Sequence, residues 1–272
     1  MREETFSVLS LNILGIPLVT KKYRERLGLL VKETKKINPD VICFQEAWTP
    51  PTKELLIESL KRHGFKYSFF TNSWPRFNGL LTLSKYQIIE TDEESVKPLL
   101  TGLNRSLTEF AGDKGYSLIR INCLGQSIFI INTHLSADFG TETKEGSWFY
   151  RAKVKETTKL ADEINSLTYE KIVVAGDFNF TPDSYFYKRL LVLSGLQDTL
   201  PADKKMRTTL YNLFKFRFPQ DNAKKDYIFF KNFNGNAPLE SKILWNMPFE
   251  KVGYISDHAA LYVKLKVFNF LQ

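Results

Sequence analysis

The 272-residue chain is 43% hydrophobic and 25% charged, a balance that excludes disordered and collagen-like classes and supplies a sizeable core. No apolar run approaches the roughly 18 residues of a membrane span, and Met1-Arg2-Glu3-Glu4 lacks a signal peptide's apolar stretch. The formal charge of +8 favours an anionic counterpart, whether nucleic acid, a phospholipid surface or a phosphorylated metabolite, without choosing among them.

Phe6–Leu11 reads as the first strand. Behind it, Tyr23, Leu27, Leu30, Val31 and Ile37 recur near i, i+4, i+7, i+8 with Lys and Glu opposite, which predicts an amphipathic helix. Val41–Phe44 is the next strand and Thr52–Lys61 a helical pattern, with His63 near its end taken as structural. Gly79–Leu83, Ser117–Ile121 and Ser127–Ile131 follow as strands, the last two paired as a hairpin across Asn122-Cys123-Leu124-Gly125-Gln126. A helix is expected from about Arg151 to Leu167, with Val154, Thr158, Ala161, Ile164 and Leu167 on one stripe. After the strand Ile172–Ala175, Thr181-Pro182-Asp183 announces a third helix, with threonine as N-cap and proline at the first helical position. Tyr227–Phe230 and Ala259–Val267 complete the strands. The stretches Thr71–Asn78, Asp138–Tyr150, Met206–Lys225 and Asn232–Lys251 read as aromatic-rich loops, with Trp74, Trp148 and Trp245 among them.

Strands and helices in mixed order with hairpin pairs predict sheets covered by helices and containing antiparallel neighbours. Repeats and Gly/Ser linkers are absent, so residues 1–272 are read as one domain. Cys43 and Cys123 sit in apolar runs as buried free thiols. Such sparing cysteine use suits a reducing, cytoplasmic compartment, with a secreted form that has lost its leader as the alternative.

The chemistry-bearing groups stand where strands run out. Asn12 follows Phe6–Leu11 and Glu46 follows Val41–Phe44, where oxygen ligands can face a cleft and hold a hard cation such as Mg²⁺. Lys171-Ile-Val-Val-Ala-Gly-Asp177-Phe-Asn179 ends in two polar residues one position apart, which on a period-two backbone point to one face and can hold a water and a phosphate oxygen. His134 and His258, two of only three histidines, occupy similar ends and can exchange protons near neutral pH. Asp257 is a metal ligand or an orienting group, and Asp226 can hold the His258 imidazole in one tautomer.

In order, Leu9-Ser-Leu-Asn12, Gln45-Glu46, Asn132-Thr-His134-Leu, Gly176-Asp177-Phe-Asn179, Asp226-Tyr-Ile and Ser256-Asp257-His258 resemble the endonuclease/exonuclease/phosphatase superfamily over nearly the whole chain. The resemblance implies an α/β fold, a four-layer αββα sandwich of two mixed, largely antiparallel sheets flanked by helices. It implies a phosphoric ester hydrolase that uses Mg²⁺, with Mn²⁺ as substitute. Glu46 and Asn12, with Asp257 near, would bind metal. Asp177 and Asn179 would position water and phosphate, His134 would stabilise the transition state, and His258 held by Asp226 would act as base or phosphate contact.

Among branches, Leu11-Asn-Ile-Leu-Gly-Ile-Pro17 with its basic helix, Thr133-His-Leu-Ser-Ala-Asp138 and Asp226-Tyr-Ile-Phe-Phe-Lys231 are similar to neutral sphingomyelinases, with Ser136 and Asp138 standing where those enzymes usually read His and Glu. This implies a phospholipid phosphodiester substrate and peripheral contact with a lipid surface. DNA or RNA cleavage and phosphoinositide hydrolysis are the alternatives in the same superfamily. The stretch Leu210–Pro219 suits a lipid interface, stacked bases or an edge strand. An inactive scaffold would have lost some motif groups; all are present.

Overall fold

A computed structural model describes residues 2–17, 20–70, 77–91, 97–98, 112–137, 145, 147–200, 207–209, 213, 223–233 and 237–269. In chain order the elements are β1 (Arg2–Asn12), α1 (Tyr23–Ile37), β2 (Val41–Gln45), α2 (Pro50–Lys61), β3 (Tyr67–Phe69), β4 (Phe77–Asn78), β5 (Leu81–Ser84), β6 (Gln87–Thr91), β7 (Lys97–Pro98), β8 (Gly112–Asp113), β9 (Gly115–Cys123), β10 (Gln126–His134), α3 (Trp148–Ser166), β11 (Lys171–Asp177), α4 (Tyr185–Ser194), β12 (Gln197–Asp198), β13 (Asp226–Lys231), β14 (Glu240–Leu244) and β15 (Ala260–Asn269).

Two mixed sheets form the centre. The first runs β14-β15-β1-β2-β5-β3 and the second β12-β13-β11-β10-β9-β6, with β7 beside β9. Only β1–β2 and β10–β11 are parallel within these sheets; the other pairs are antiparallel. Side chains alternate across each strand and sort into three apolar layers. Phe6, Val8, Val41, Ile121, Ile130, Val173, Ile228 and Val263 pack between the sheets. Leu9, Leu11, Ile42 and Phe44 face Leu27, Leu30, Leu56 and Leu60 of α1 and α2. Ile131, Val174 and Phe229 face Leu160, Ile164 and Leu190 of α3 and α4. This is the expected αββα sandwich. Among the described residues no helix is long and apolar enough to cross a membrane.

The hairpin β9–β10 forms as read, its turn closed by Leu124 (φ 54°) and Gly125 (φ 80°). Among the differences from the sequence expectation are two helix starts and one edge strand. Helix α3 starts at Trp148, capped by Ser147, and α4 starts at Tyr185, capped by Ser184 rather than Thr181. The Thr181 hydroxyl donates to Asp183 instead, at 2.6 Å, so the threonine-proline signal builds a turn one step early. Within the stretch read as the loop Asn232–Lys251, Glu240–Leu244 forms an edge strand; its half-exposed side chains give it no apolar run to read. His63 lies exposed after α2. Apart from the buried Leu213, the stretch 210–219 lies outside the described residues, as do Trp74 and Asp138.

Candidate active site

Adjacent strands β15, β1 and β2 of the first sheet and β13, β11 and β10 of the second bring their site-bearing ends to one edge of the sandwich. Asn12 closes β1, Glu46 follows β2, His134 closes β10, Asp177 closes β11, Asp226 opens β13, and Asp257 and His258 stand just before β15. Below them, Gln45 Nε2 donates to Asn132 Oδ1 at 2.8 Å. The Asn132 amide donates in turn to Phe44 O at 3.1 Å and to Thr82 Oγ1 at 3.2 Å, tying the sheets together under the site.

On the first sheet, Asn12 Nδ2 donates to Glu46 Oε1 and to Asp177 Oδ2, both at 3.1 Å, while its Oδ1 accepts from Leu14 N at 3.1 Å. Glu46 adopts φ 59°, a strained conformation for a residue with a side chain. Gly15 N holds its carbonyl at 3.0 Å, and a Cβ on Gly15 would sit 2.4 Å from that same oxygen, so only glycine fits beside it. Buried Arg26 extends the support, donating to the carbonyls of Ile13, Leu14, Lys21 and Ile255 and to Thr20 Oγ1. Ser256 Oγ reaches Asn12 O at 2.6 Å and Asp257 Oδ1 at 3.2 Å. Burial, chiefly, pushes the Asp257 carboxyl up to about 6, and the Glu46 charge adds to the effect.

On the second sheet, Asp177 is the register partner of both His134 and Asp226. His134 Nε2 lies 3.4 Å from Asp177 Oδ2 and 3.9 Å from Glu46 Oε1, while His258 Nε2 lies 3.9 Å from Asp177 Oδ2. His258 Nδ1 is 2.8 Å from Asp226 Oδ2, which fixes the tautomer. Burial alone would raise the Asp177 carboxyl, but His258 and then His134 outweigh it and hold the group below the usual carboxylate range. Burial would likewise lower His258, yet Asp226 and Asp177 raise it well above the ordinary histidine value. His134 is lowered, first by burial and then by Lys114.

Asn179 is near the site by a different route from the one expected. The strand ends at Asp177, Asn179 takes φ 51°, and its N–H donates to Asp177 Oδ1 at 3.0 Å. The two side chains therefore do not share one face of an extended strand; an Asx turn places them, with Asn179 Nδ2 on Leu135 O at 3.0 Å.

Sequence reading missed Lys114, whose Nζ lies 2.5 Å from His134 Nε2. A signal was there: counting back along the hairpin puts Gly115 opposite His134, so Lys114 must reach the same edge. Lys153 and Glu156, buried on α3 behind the site, had no such signal, since charged residues in a helix normally face solvent.

The first-sheet half of this arrangement carries oxygen donors of the kind a divalent cation takes, and the Asp257 carboxyl feels the Glu46 charge. Glu46 and Asp257 present carboxylates, and Asn12 a carboxamide whose Oδ1 accepts from Leu14 N while its Nδ2 faces Glu46. Among the described residues, the acid and imidazole group whose ligand atoms all lie within 4.8 Å is instead Asp177, Asp226 and His258. There Asp226 is already engaged by His258, which makes the trio a proton-handling cluster first.

Comparison with known proteins gives the chain a family and a shared fold. The family described as "Endonuclease/Exonuclease/phosphatase family" matches residues 9–258. A Drosophila melanogaster protein named "Putative neutral sphingomyelinase" is 29% identical over 97% of this chain, which spans 61% of that relative's length. Two solved structures share the fold. A Staphylococcus aureus beta toxin variant with bound magnesium ions has a TM-score of 0.72 at 17% identity, covering 96% of this chain and 99% of that one. TDP2 of D. rerio, complexed with single strand DNA product, has a TM-score of 0.73 at 16% identity, covering 97% and 99%.

Proposed function

Because the chain belongs to the endonuclease/exonuclease/phosphatase family, we propose that its 272 residues act as one catalytic domain, a Mg²⁺-dependent phosphodiesterase that cleaves a sphingomyelin-type phospholipid. The observation that carries the reaction class is the convergence of His134, Lys114 and the Asp226-held His258 on Asp177. Ionised Asp177 can accept a proton from a water in line with the phosphorus, and the Asn179 turn keeps that carboxylate oriented. Protonated His258 and the Lys114–His134 pair then face the charge that develops on the phosphoryl oxygens, the kind of fixed donors worth about 3 kcal/mol each. The leaving alkoxide takes a proton from this set as the phosphorus–oxygen ester bond breaks. Glu46 and Asp257, with Asn12, would hold Mg²⁺ or Mn²⁺, which when bound neutralises phosphoryl charge.

The substrate class rests on the relative named above and on the Gly15-Ile16-Pro17 and Thr133-His134-Leu135 wording of the strand-end loops. Ser136, which stands where neutral sphingomyelinases usually read histidine, has its hydroxyl engaged by Glu156 at 2.5 Å. A nucleic-acid phosphodiester is the second reading, favoured by the +8 charge and the DNA-product neighbour. Lipid-surface contact belongs to the first.

Purified protein and a His258→Ala control, each with Mg²⁺ or EDTA, would be offered sphingomyelin and lysophospholipid micelles, supercoiled and abasic DNA, RNA and phosphoinositides. Phosphocholine release that needs Mg²⁺ and His258 is the expected result. Nicking of DNA without phosphocholine release would replace the substrate assignment, and wild-type turnover by His258→Ala would remove that residue from the reaction.

A further inference from the structure

Helix α3 covers the second sheet with Leu160, Ala161 and Ile164, as a covering helix should. At its site end the same face carries charges instead: Lys153 is 2% exposed and Glu156 0%. Three residues apart, they sit one above the other on one helix turn. Leucines would cover the sheet there without the desolvation that two buried charges bring, so what these charges touch matters.

Both are spent on the main chain where the catalytic strands leave the sheet. Lys153 Nζ donates to Phe178 O at 2.8 Å and to Asn179 O at 2.9 Å, the two carbonyls of the turn after Asp177. Glu156 accepts from Ser136 N at 3.3 Å and from Ser136 Oγ at 2.5 Å, in the bend after His134. The bends are bonded to each other as well, through Leu135 N on Asp177 O and Asn179 Nδ2 on Leu135 O, both at 3.0 Å. Their carbonyls and amides have left the sheet ladder and are buried, so each needs a partner from outside it.

We propose that Lys153 and Glu156 are positioning residues for the reaction: one turn of α3 clamps the bends behind His134 and Asp177 and so sets the 3.4 Å between their reacting groups. This rests on the phosphodiesterase reading of the site. Neither side chain touches the substrate. The pair acts through hydrogen bonds to main chain, and its opposite charges offset each other's burial: the Lys153 ammonium is lowered to about 8 and the Glu156 carboxyl raised, in both cases chiefly by desolvation. A reacting group moved by about 1 Å can lose on the order of 10²-fold in rate.

The test compares wild type with Lys153→Met and Lys153→Gln, measuring kcat and KM on the phosphodiester the wild type hydrolyses. Imidazole NMR of the three histidines is recorded beside it. Lys153→Met is expected to lower kcat by about 10²-fold with KM nearly unchanged, and to shift the His134 resonances but not those of exposed His63. Lys153→Gln offers two amide N–H donors to the same two carbonyls and is expected to recover most of kcat. Wild-type kcat in folded Lys153→Met, an unmoved His134 signal, or a Gln variant as slow as the Met variant would each overturn the inference. If Lys153→Met does not fold, the double variant Lys153→Met/Glu156→Met decides: it leaves neither buried charge unpaired and removes every bond of the pair to the two bends, so wild-type kcat and an unmoved His134 signal in it would sink the clamp. Should the wild type hydrolyse nothing, the phosphodiesterase reading fails, while the His134 signal still reports on the positioning.

Discussion

His258 Nδ1 and Asp226 Oδ2 meet at 2.8 Å across the two sheets, Asp226 from the first residue of β13 and His258 from just before β15. The contact joins residues 32 apart in sequence and converts two separate strand ends into one proton-handling pair.

Asp226→Asn keeps the shape of that partner and removes its charge. Burial, which disfavours the charged imidazole, would then be opposed mainly by Asp177, and the His258 pKa falls. We expect kcat at neutral pH to drop by roughly 10²–10⁴-fold, with the alkaline limb of the rate profile displaced to lower pH. A rate profile that overlays the wild type would refute the pairing. Stability follows the same sign: the raised His258 pKa contributes stability that is fully present below the unfolded value of 6.5 and is lost as pH rises through the folded value. Denaturation from pH 6 upward should therefore show an alkaline loss in wild type that is smaller in the variant.

Cation affinity should depend on Asp257. Its carboxyl, raised to about 6 by burial, is neutral below that pH and offers less to a divalent ion. Mg²⁺ binding is expected to tighten as pH rises through about 6 and to release protons below it. Calorimetry in buffers of different ionisation enthalpy reads the proton count. In Asp257→Asn the step should vanish, and a pH-independent affinity in wild type would remove Asp257 from the cation's surroundings.

Lys114 holds the imidazole of His134 partly by charge. After burial it is the next cause of the lowered His134 pKa, so Lys114→Met should raise that pKa while lowering kcat by about 10²-fold through loss of a fixed donor. NMR titration of His134 checks the first and steady-state kinetics the second. A His134 pKa that falls or stays constant would contradict the assignment.

Gly176 admits no side chain. It sits at φ 153°, and a Cβ would lie 1.9 Å from Thr133 O on the neighbouring strand. Both atoms belong to the parallel pair β10–β11 that carries His134 and Asp177, so relief requires the two strands to part. Gly176→Ala is expected to cost more than about 4 kcal/mol or to prevent folding. Chemical denaturation measures it, and a cost under about 1 kcal/mol would mean the strands separate easily.

Much of the site could be read along the chain because its cues are local. Asn12, Glu46, His134 and Asp177 each end or follow an apolar run, and a run's end is visible without any partner. The order of those motifs also carried the family resemblance, and the resemblance implied two helix-covered sheets. Where the reading slipped, a local cue had two outcomes. Thr181-Pro182 can start a helix or a turn, and Ser184 three residues on took the cap. Asp177-Phe178-Asn179 can continue a strand or leave it, and the left-handed Asn179 left it.

By itself the sequence determined which strand ends carry acids, amides and imidazoles, since alternation and apolar runs depend on residues a few positions apart. Tertiary structure alone decided the pairings: Asp226 with His258, Lys114 with His134, and Arg26, Lys153 and Glu156 with main chain far from them. Those contacts depend on a sheet order that does not follow chain order. For a buried charge, only the packed neighbours reveal which distant carbonyl or carboxylate compensates its lost water.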